Sequence, residues 1–160
     1  MTIKLDWVLS NEIAIGSAPK NFHDINYLKK NGINGILSLC SNEENPFNVN
    51  LKDFFNCKNI LLPDHKYNYP LSIDQLNIAL EHLSVLRQGG SVYVHCLAGV
   101  ERSPLVCMGW LVKNNNLTPT QALDYLMNVH NGTNPLPEQL KLLYLLWIRE
   151  KYELFFKLNF

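Results

Sequence analysis

The apolar positions of the chain change period several times, and each change predicts an element. In "DWVLSNEIAIGSAP" apolar stretches lie on either side of Ser10-Asn11, which predicts two short strands followed by a turn with glycine and proline. "NFHDINYLKKNG" predicts a short helix: Asn21 can cap its start, Lys29 and Lys30 suit its end, and Gly32 stops it. "INGILSLC" reads as a buried strand ending at Cys40, and "KNILLPDH" as another, ended by Pro63. Between them, the asparagine-rich stretch to Asn56 predicts a loop with one helical turn. "SIDQLNIALEHLSVLRQGG" has the clearest helical spacing, with Ile73, Leu76, Leu80, Leu83 and Leu86 on one face. Ser72 and Gln75 form a capping box for it, and Gly89-Gly90 ends it. "SVYVHC" is apolar without alternation, as in a strand covered on both faces.

Only helices follow: Ser103 to about Lys113, Thr118 to about Asn128 with Pro119 at its first position, and about Pro137 to Lys157. Strands alternating with helices, then helices alone, predict an α/β fold with a small, mostly parallel central sheet flanked by helices. No repeat or linker divides the 160 residues, so one domain over 1–160 is expected. The aromatic tail "YELFFKLNF" fits either a packed helix end or an exposed docking patch.

Composition narrows the function classes. A formal charge of +0 and a pI near 6.9 give no global field for nucleic acid or an anionic membrane, although an anionic substrate needs only a local positive site. No long uncharged apolar run predicts a membrane span, and the charged N-terminus does not read as a signal peptide. Cys40, Cys57, Cys96 and Cys107 contain no close pair, which argues against structural zinc and suits free thiols in a cytoplasmic protein.

The chemistry concentrates in "VYVHCLAGVERSPLVCMGWLV", where an apolar strand stops at His95-Cys96 and a helix begins around Arg102-Ser103. The first N–H groups of a helix have no partner within it, and together with the helix dipole they form an anion site. The loop Leu97, Ala98, Gly99, Val100 and Glu101 would line such a cradle, with Gly99 free to take positive φ. Arg102 adds a planar fork of donors suited to phosphate, and Pro104 sits in the first helical turn, where its missing N–H costs nothing. The same field favours the thiolate of Cys96. A cradle for a tetrahedral oxyanion with a nucleophile beneath it is chemistry for phosphoryl transfer through a phosphocysteine.

The full string "HCLAGVERS" resembles the HCxxGxxR[ST] signature of the cysteine-dependent protein tyrosine phosphatases. "EIAIGSAP", "NGINGILSLC" and "NPLPEQLKLLYLLW" are similar to segments of the small dual-specificity members, and the length suits that type. The resemblance implies a protein tyrosine phosphatase-like fold and a two-step hydrolysis through a cysteinyl phosphate, with no metal and no cofactor. Leaving alkoxide or phenoxide needs a proton. Asp64, 32 residues before Cys96 at a strand end, matches the family's acid loop and can face the cradle, with His65 a neighbouring alternative. Ser103 is positioned to donate to the departing thiolate, or to cap the helix. His95 is assigned to loop orientation. Cys40 is a candidate disulfide partner for Cys96 under oxidation, while Cys57 and Cys107 read as bystanders.

Glu101 departs from the pattern, with three roles open: holding Arg102, meeting a basic part of the substrate, or facing solvent. The loop also lacks the extra lysines expected of relatives that take polyanionic inositol lipids. The reading is therefore a phosphatase of phosphotyrosine, and of phosphoserine or phosphothreonine, in proteins or peptides. Its alternatives are a phosphatase of a nucleotide, RNA 5′-phosphate or lipid, and a silent phosphate-binding module. A rhodanese-like sulfurtransferase fits Asp64 and "HCLAGVERS" poorly.

Overall fold

The computed structural model describes residues 3–45, 50–66 and 70–159. Strands β1 (Leu5–Leu9), β2 (Ile13–Ser17), β3 (Ile33–Ser38), β4 (Asn56–Asn59) and β5 (Ser91–Cys96) form one sheet in the order β1-β2-β5-β3-β4. β2, β5, β3 and β4 are parallel, and β1 pairs antiparallel with β2. The uninterrupted apolar run of β5 is explained by its place: it is the middle strand, with Val92, Tyr93 and Val94 fully buried.

Among the described residues, five α-helices cover the sheet: α1 (Phe22–Lys30), α2 (Ile73–Arg87), α3 (Arg102–Asn114), α4 (Pro119–Val129) and α5 (Pro137–Asn159). Their starts follow local chemistry. The Asn21 side chain accepts from the Asp24 N–H at the head of α1, and capping boxes Ser72/Gln75 and Thr118/Gln121 open α2 and α4. Val92 and Val94 join Leu76, Leu83 and Leu105 in the larger core under α2 to α5, while Tyr93 packs with Ile25, Leu28 and Ile36 on the α1 face. α3 is buried almost all round, packed against α2, α4, α5 and the sheet, so its N-terminus is held at the end of β5.

Two strand boundaries differ from expectation. β3 ends at Ser38 and not Cys40, and the strand expected over "KNILLPDH" is β4 at Asn56–Asn59. The apolar run after Asn59 follows the end of β3 without a regular ladder: Ile60 N–H donates to Ser38 O (2.9 Å) and Leu62 N–H to Leu39 O (3.2 Å). Burial of Leu62 under the loops, not sheet pairing, accounts for its hydrophobicity. The helical turn expected in the asparagine-rich stretch is a single 3-10 turn at Leu51–Asp53.

Because four strands are parallel, the segments after Ser17, Ser38, Asn59 and Cys96 emerge at one edge. β2 and β3 flank β5 on opposite sides, which opens a crevice at the end of β5. α5 begins beside this edge and runs away from it; Tyr152, Leu154, Phe155 and Phe156 of the aromatic tail are exposed at its far end. Among the described residues, no helix is long and apolar enough to cross a membrane.

Candidate active site

Residues 97–101 join β5 to α3 and curl around Cys96. Gly99 has φ +78°, and a Cβ there would lie 2.6 Å from Gly16 C and 2.7 Å from Gly16 O. Both the backbone angle and the close passage of β2 therefore require glycine. Gly99→Ala is expected to cost about 2 kcal/mol or more of stability, since the left-handed angle and a backbone clash add together. A chemical unfolding midpoint equal to that of the parent would contradict this.

Three carbonyls of the loop are held from outside. Leu97 O accepts from Ala18 N–H (3.1 Å), Val100 O accepts from Asn134 N–H (2.8 Å), and Gly99 O lies 2.7 Å from His130 Nε2. In a trans peptide the N–H points opposite to the C=O, so carbonyls pulled outward leave the following amides facing inward. At the head of α3 the capping position, Glu101, makes no side-chain cap bond, and Ser103 lies inside the first turn. The first-turn donors of α3 are thus left for an anion.

Cys96 is 3 % exposed, with its Sγ 3.4 Å from Ser103 Oγ. Burial pushes its thiol pKa up, but hydrogen bonds from the Ser103 side chain and from the Ser103 and Gly99 amides, with the Arg102 charge, outweigh that and hold it below the ordinary value. The other thiols go the opposite way: burial raises Cys40, Cys57 (to about 11) and Cys107. Cys40 follows β3 directly beside the end of β5, where Leu39 N–H donates to His95 O, and all four thiols are free.

Arg102 is 1 % exposed, and both of its terminal nitrogens are engaged. Nη1 donates to Leu39 O (3.3 Å), Leu62 O (3.2 Å) and Glu44 Oε1 (3.1 Å), while Nη2 donates to Glu44 Oε2 (2.6 Å) and Asp64 Oδ2 (3.0 Å). A buried guanidinium needs this compensation. The Arg102 hydrogen bond in turn holds the Glu44 carboxyl below the usual carboxylate range. Glu44 is a site residue that the sequence reading missed. Its signal was the S-x-x-E spacing of Ser41 and Glu44, whose mutual bonds (3.1 and 3.2 Å) fix the turn that aims the carboxylate.

Asp64 stands at the same edge as the cradle, joined to it through Arg102. Glu101 neither holds Arg102 nor extends into solvent: its carboxylate accepts from Gln139 Nε2 (2.8 Å) and meets His65 Nδ1 (2.8 Å). Asp64, His65 and Glu101 each bring one ligand atom within 4.8 Å of the others, and the half-exposed imidazole of His65 bridges the two carboxylates, 3.3 Å from Asp64. They line a cavity of about 160 Å³ whose apolar walls include Pro63, Pro70, Leu71 and Leu136, with Asp64, Glu101 and Glu138 as its acidic members.

His95 is fully buried behind the loop. Burial lowers its pKa from 6.5 to about 4, so it is a neutral imidazole donating through Nδ1 to Cys96 O (3.1 Å), and its Nε2 has no partner among the described residues. The folded pKa lies below the unfolded one, so the unfolded chain takes up a proton first as pH falls. Stability contributed by this group is full above pH 6.5 and is lost as pH falls from 6.5 through about 4. The loss reaches about 3 kcal/mol. Urea unfolding across that window should show a smaller acid loss in His95→Asn; identical slopes would remove His95 as the cause.

Relatives place this geometry. The sequence matches the family model of the dual specificity phosphatase catalytic domain over residues 14–147. The chain belongs to that family. That is a family of cysteine-based phosphatases, as the resemblance of "HCLAGVERS" implied, and the helix-flanked sheet of this chain is the family fold. It is 26% identical over 137 residues to the Arabidopsis thaliana phosphatidylglycerophosphate phosphatase PTPMT2, covering 84% of this chain and 60% of that protein. It is 29% identical over 124 residues to the Arabidopsis thaliana dual specificity protein phosphatase PHS1, covering 75% of this chain and 12% of that protein. The chain therefore spans less than two thirds of the length of either relative. Among solved structures, PTPMT1 in complex with PI(5)P superposes with a TM-score of 0.80 at 17% identity, over 93% of this chain and 97% of that one. The human tyrosine phosphatase-like serine/threonine/tyrosine-interacting protein gives 0.76 at 21% identity, over 95% and 97%.

Proposed function

We propose that the chain is one catalytic domain that hydrolyses phosphotyrosine, and phosphoserine or phosphothreonine, in proteins through a cysteinyl phosphate on Cys96. The phosphoryl group of the substrate lies in the loop 97–102, held by inward amides and Arg102. The Cys96 thiolate attacks phosphorus, the P–O bond to the leaving group breaks, and Asp64 gives that oxygen its proton. Water, deprotonated by Asp64, then attacks phosphorus; the P–S bond breaks, and the Ser103 hydroxyl donates to the departing thiolate. The observation that carries the hydrolytic reading is the Cys96 sulfur, favoured as thiolate and placed 3.4 Å from Ser103 at the uncapped head of α3.

The protein-substrate reading is supported by charge. Asp64, Glu101 and Glu138 line the cavity beside the cradle and Glu44 pairs with Arg102, and these carboxylates oppose a polyanionic headgroup and favour a peptide with basic flanks. The apolar walls of the adjoining cavity suit an aryl ring. The exposed aromatic end of α5 lies about 30 Å from its start near Glu101, so a lipid surface met by that tail would not reach the cradle.

A second reading, a lipid phosphatase, rests on the names of PTPMT2 and of the PTPMT1 complex. Phosphate release from a tyrosine-phosphorylated peptide with flanking arginines and from phosphatidylglycerophosphate in mixed vesicles separates the two. A kcat/KM at least about tenfold higher for the peptide is expected; the reverse order would establish the lipid reading. A protective Cys40–Cys96 disulfide is a further proposal, supported by the adjacency of β3 and β5. Peroxide-treated protein that carries only sulfinic or sulfonic Cys96 would reject it.

A further inference from the structure

His130 lies outside the signature string, yet it is the side chain that fixes the loop's central peptide. It ends α4, its N–H donating to Leu126 O (2.8 Å), while its own carbonyl accepts from Thr133 N (3.1 Å) and Thr133 Oγ1 (2.8 Å). The ring is thus rigidly placed and 6 % exposed. Nε2 lies 2.7 Å from Gly99 O, and Nδ1 lies 2.7 Å from Asp6 Oδ2 on β1. Both partners are oxygens that only accept: a backbone carbonyl, and a carboxylate that also meets Lys4 Nζ at 3.2 Å. Toward Gly99 O the ring must therefore donate through Nε2–H.

We propose that His130 is a positioning residue for the phosphate cradle: braced by Asp6, it draws the Gly99 carbonyl outward and so turns the Val100 N–H onto the substrate phosphate. The inference rests on the reading of residues 97–102 as that cradle. Gly99 makes the device necessary, because the residue that permits the positive φ also leaves its peptide free to rotate. Asn134 N–H fixes the next carbonyl, Val100 O, so one turn after α4 sets two successive peptide planes.

Asp6 is the charged group in contact with the ring, and Lys4 contacts Asp6. The turn at 131–136 is uncharged. In the loop, Glu101 is held by His65 and Gln139, and Arg102 by Glu44 and Asp64. Those groups remain in every variant compared below, so differences between variants report the brace.

The test is calorimetric binding of tungstate at one pH in a Cys96→Ser background. Adding His130→Ala should weaken binding about tenfold. Adding His130→Gln should bring the affinity back to within about threefold of the background, because its amide N–H can donate to Gly99 O. Affinity unchanged by His130→Ala, or a loss in His130→Gln equal to that in His130→Ala with an unaltered melting transition, would overturn the proposal. If His130→Ala fails to fold, as judged by its melting transition, the comparison of His130→Gln with His130→Met, which fills the site without a donor, decides alone. If neither the parent nor the background protein binds tungstate, the phosphate-cradle reading itself fails, and the brace with it.

Discussion

Cys96→Ser is expected to reduce hydrolysis of p-nitrophenyl phosphate in EDTA by a factor of about 10⁴ or more, to the background rate. The reason is chemical and local. A serine hydroxyl at this site has neither the polarisable sulfur nor an accessible anion, and no side chain beside it serves as a general base to make one. The other thiols cannot substitute, because burial raises Cys40, Cys57 and Cys107, while hydrogen bonds and Arg102 lower Cys96. Tungstate affinity should meanwhile stay within about threefold, since the amides and Arg102 remain in place. Loss of turnover with retained oxyanion binding identifies a missing nucleophile. Loss of both would mean that the substitution had collapsed the loop, and retained turnover would end the phosphocysteine mechanism.

Much of this site could be read from the sequence because its central parts are contiguous. Strand, loop and helix carry Cys96, Gly99, Arg102 and Ser103 within eight residues, so a local pattern of apolar run, glycine and helix start reports their geometry. Asp64 was accessible through topology: parallel strands deliver their C-terminal ends to one edge. What lay hidden was every group that reaches the loop from a distant segment by side chain alone. Glu44 is 58 residues from Arg102, Gln139 is 38 from Glu101, and His130 is 31 from Gly99 and 124 from Asp6. Nothing in the periodicity of α4 announces that the residue after its end will meet β1. Glu101 illustrates the same limit. Beside Arg102 in sequence it reads as that residue's partner, but one helical step turns it toward His65 and Gln139 and leaves Arg102 to Glu44. The misplaced boundary of β4 has a related cause, because burial under loops and burial in a sheet produce the same apolar run.

Asp64→Asn should lower kcat by about 10² or more for phenyl phosphate or a phosphoserine peptide, and by less than about tenfold for p-nitrophenyl phosphate. The difference follows from the leaving group. Nitrophenolate departs readily without a proton, whereas an alkoxide or simple phenoxide requires one in the transition state. Asparagine keeps the size of Asp64 and an oxygen that can accept from Arg102 Nη2, now 3.0 Å from Asp64 Oδ2, so the arginine should stay anchored by Glu44 and the two carbonyls. On the proposed mechanism, incoming phosphate oxygens would compete with Asp64 for Nη2, and displacement would free the carboxyl to face the leaving oxygen. An equal loss for both esters would show that Asp64 acts only by holding Arg102. His65, 3.3 Å from Asp64 and bonded to Glu101, would then be the proton donor to test next by the same comparison of leaving groups.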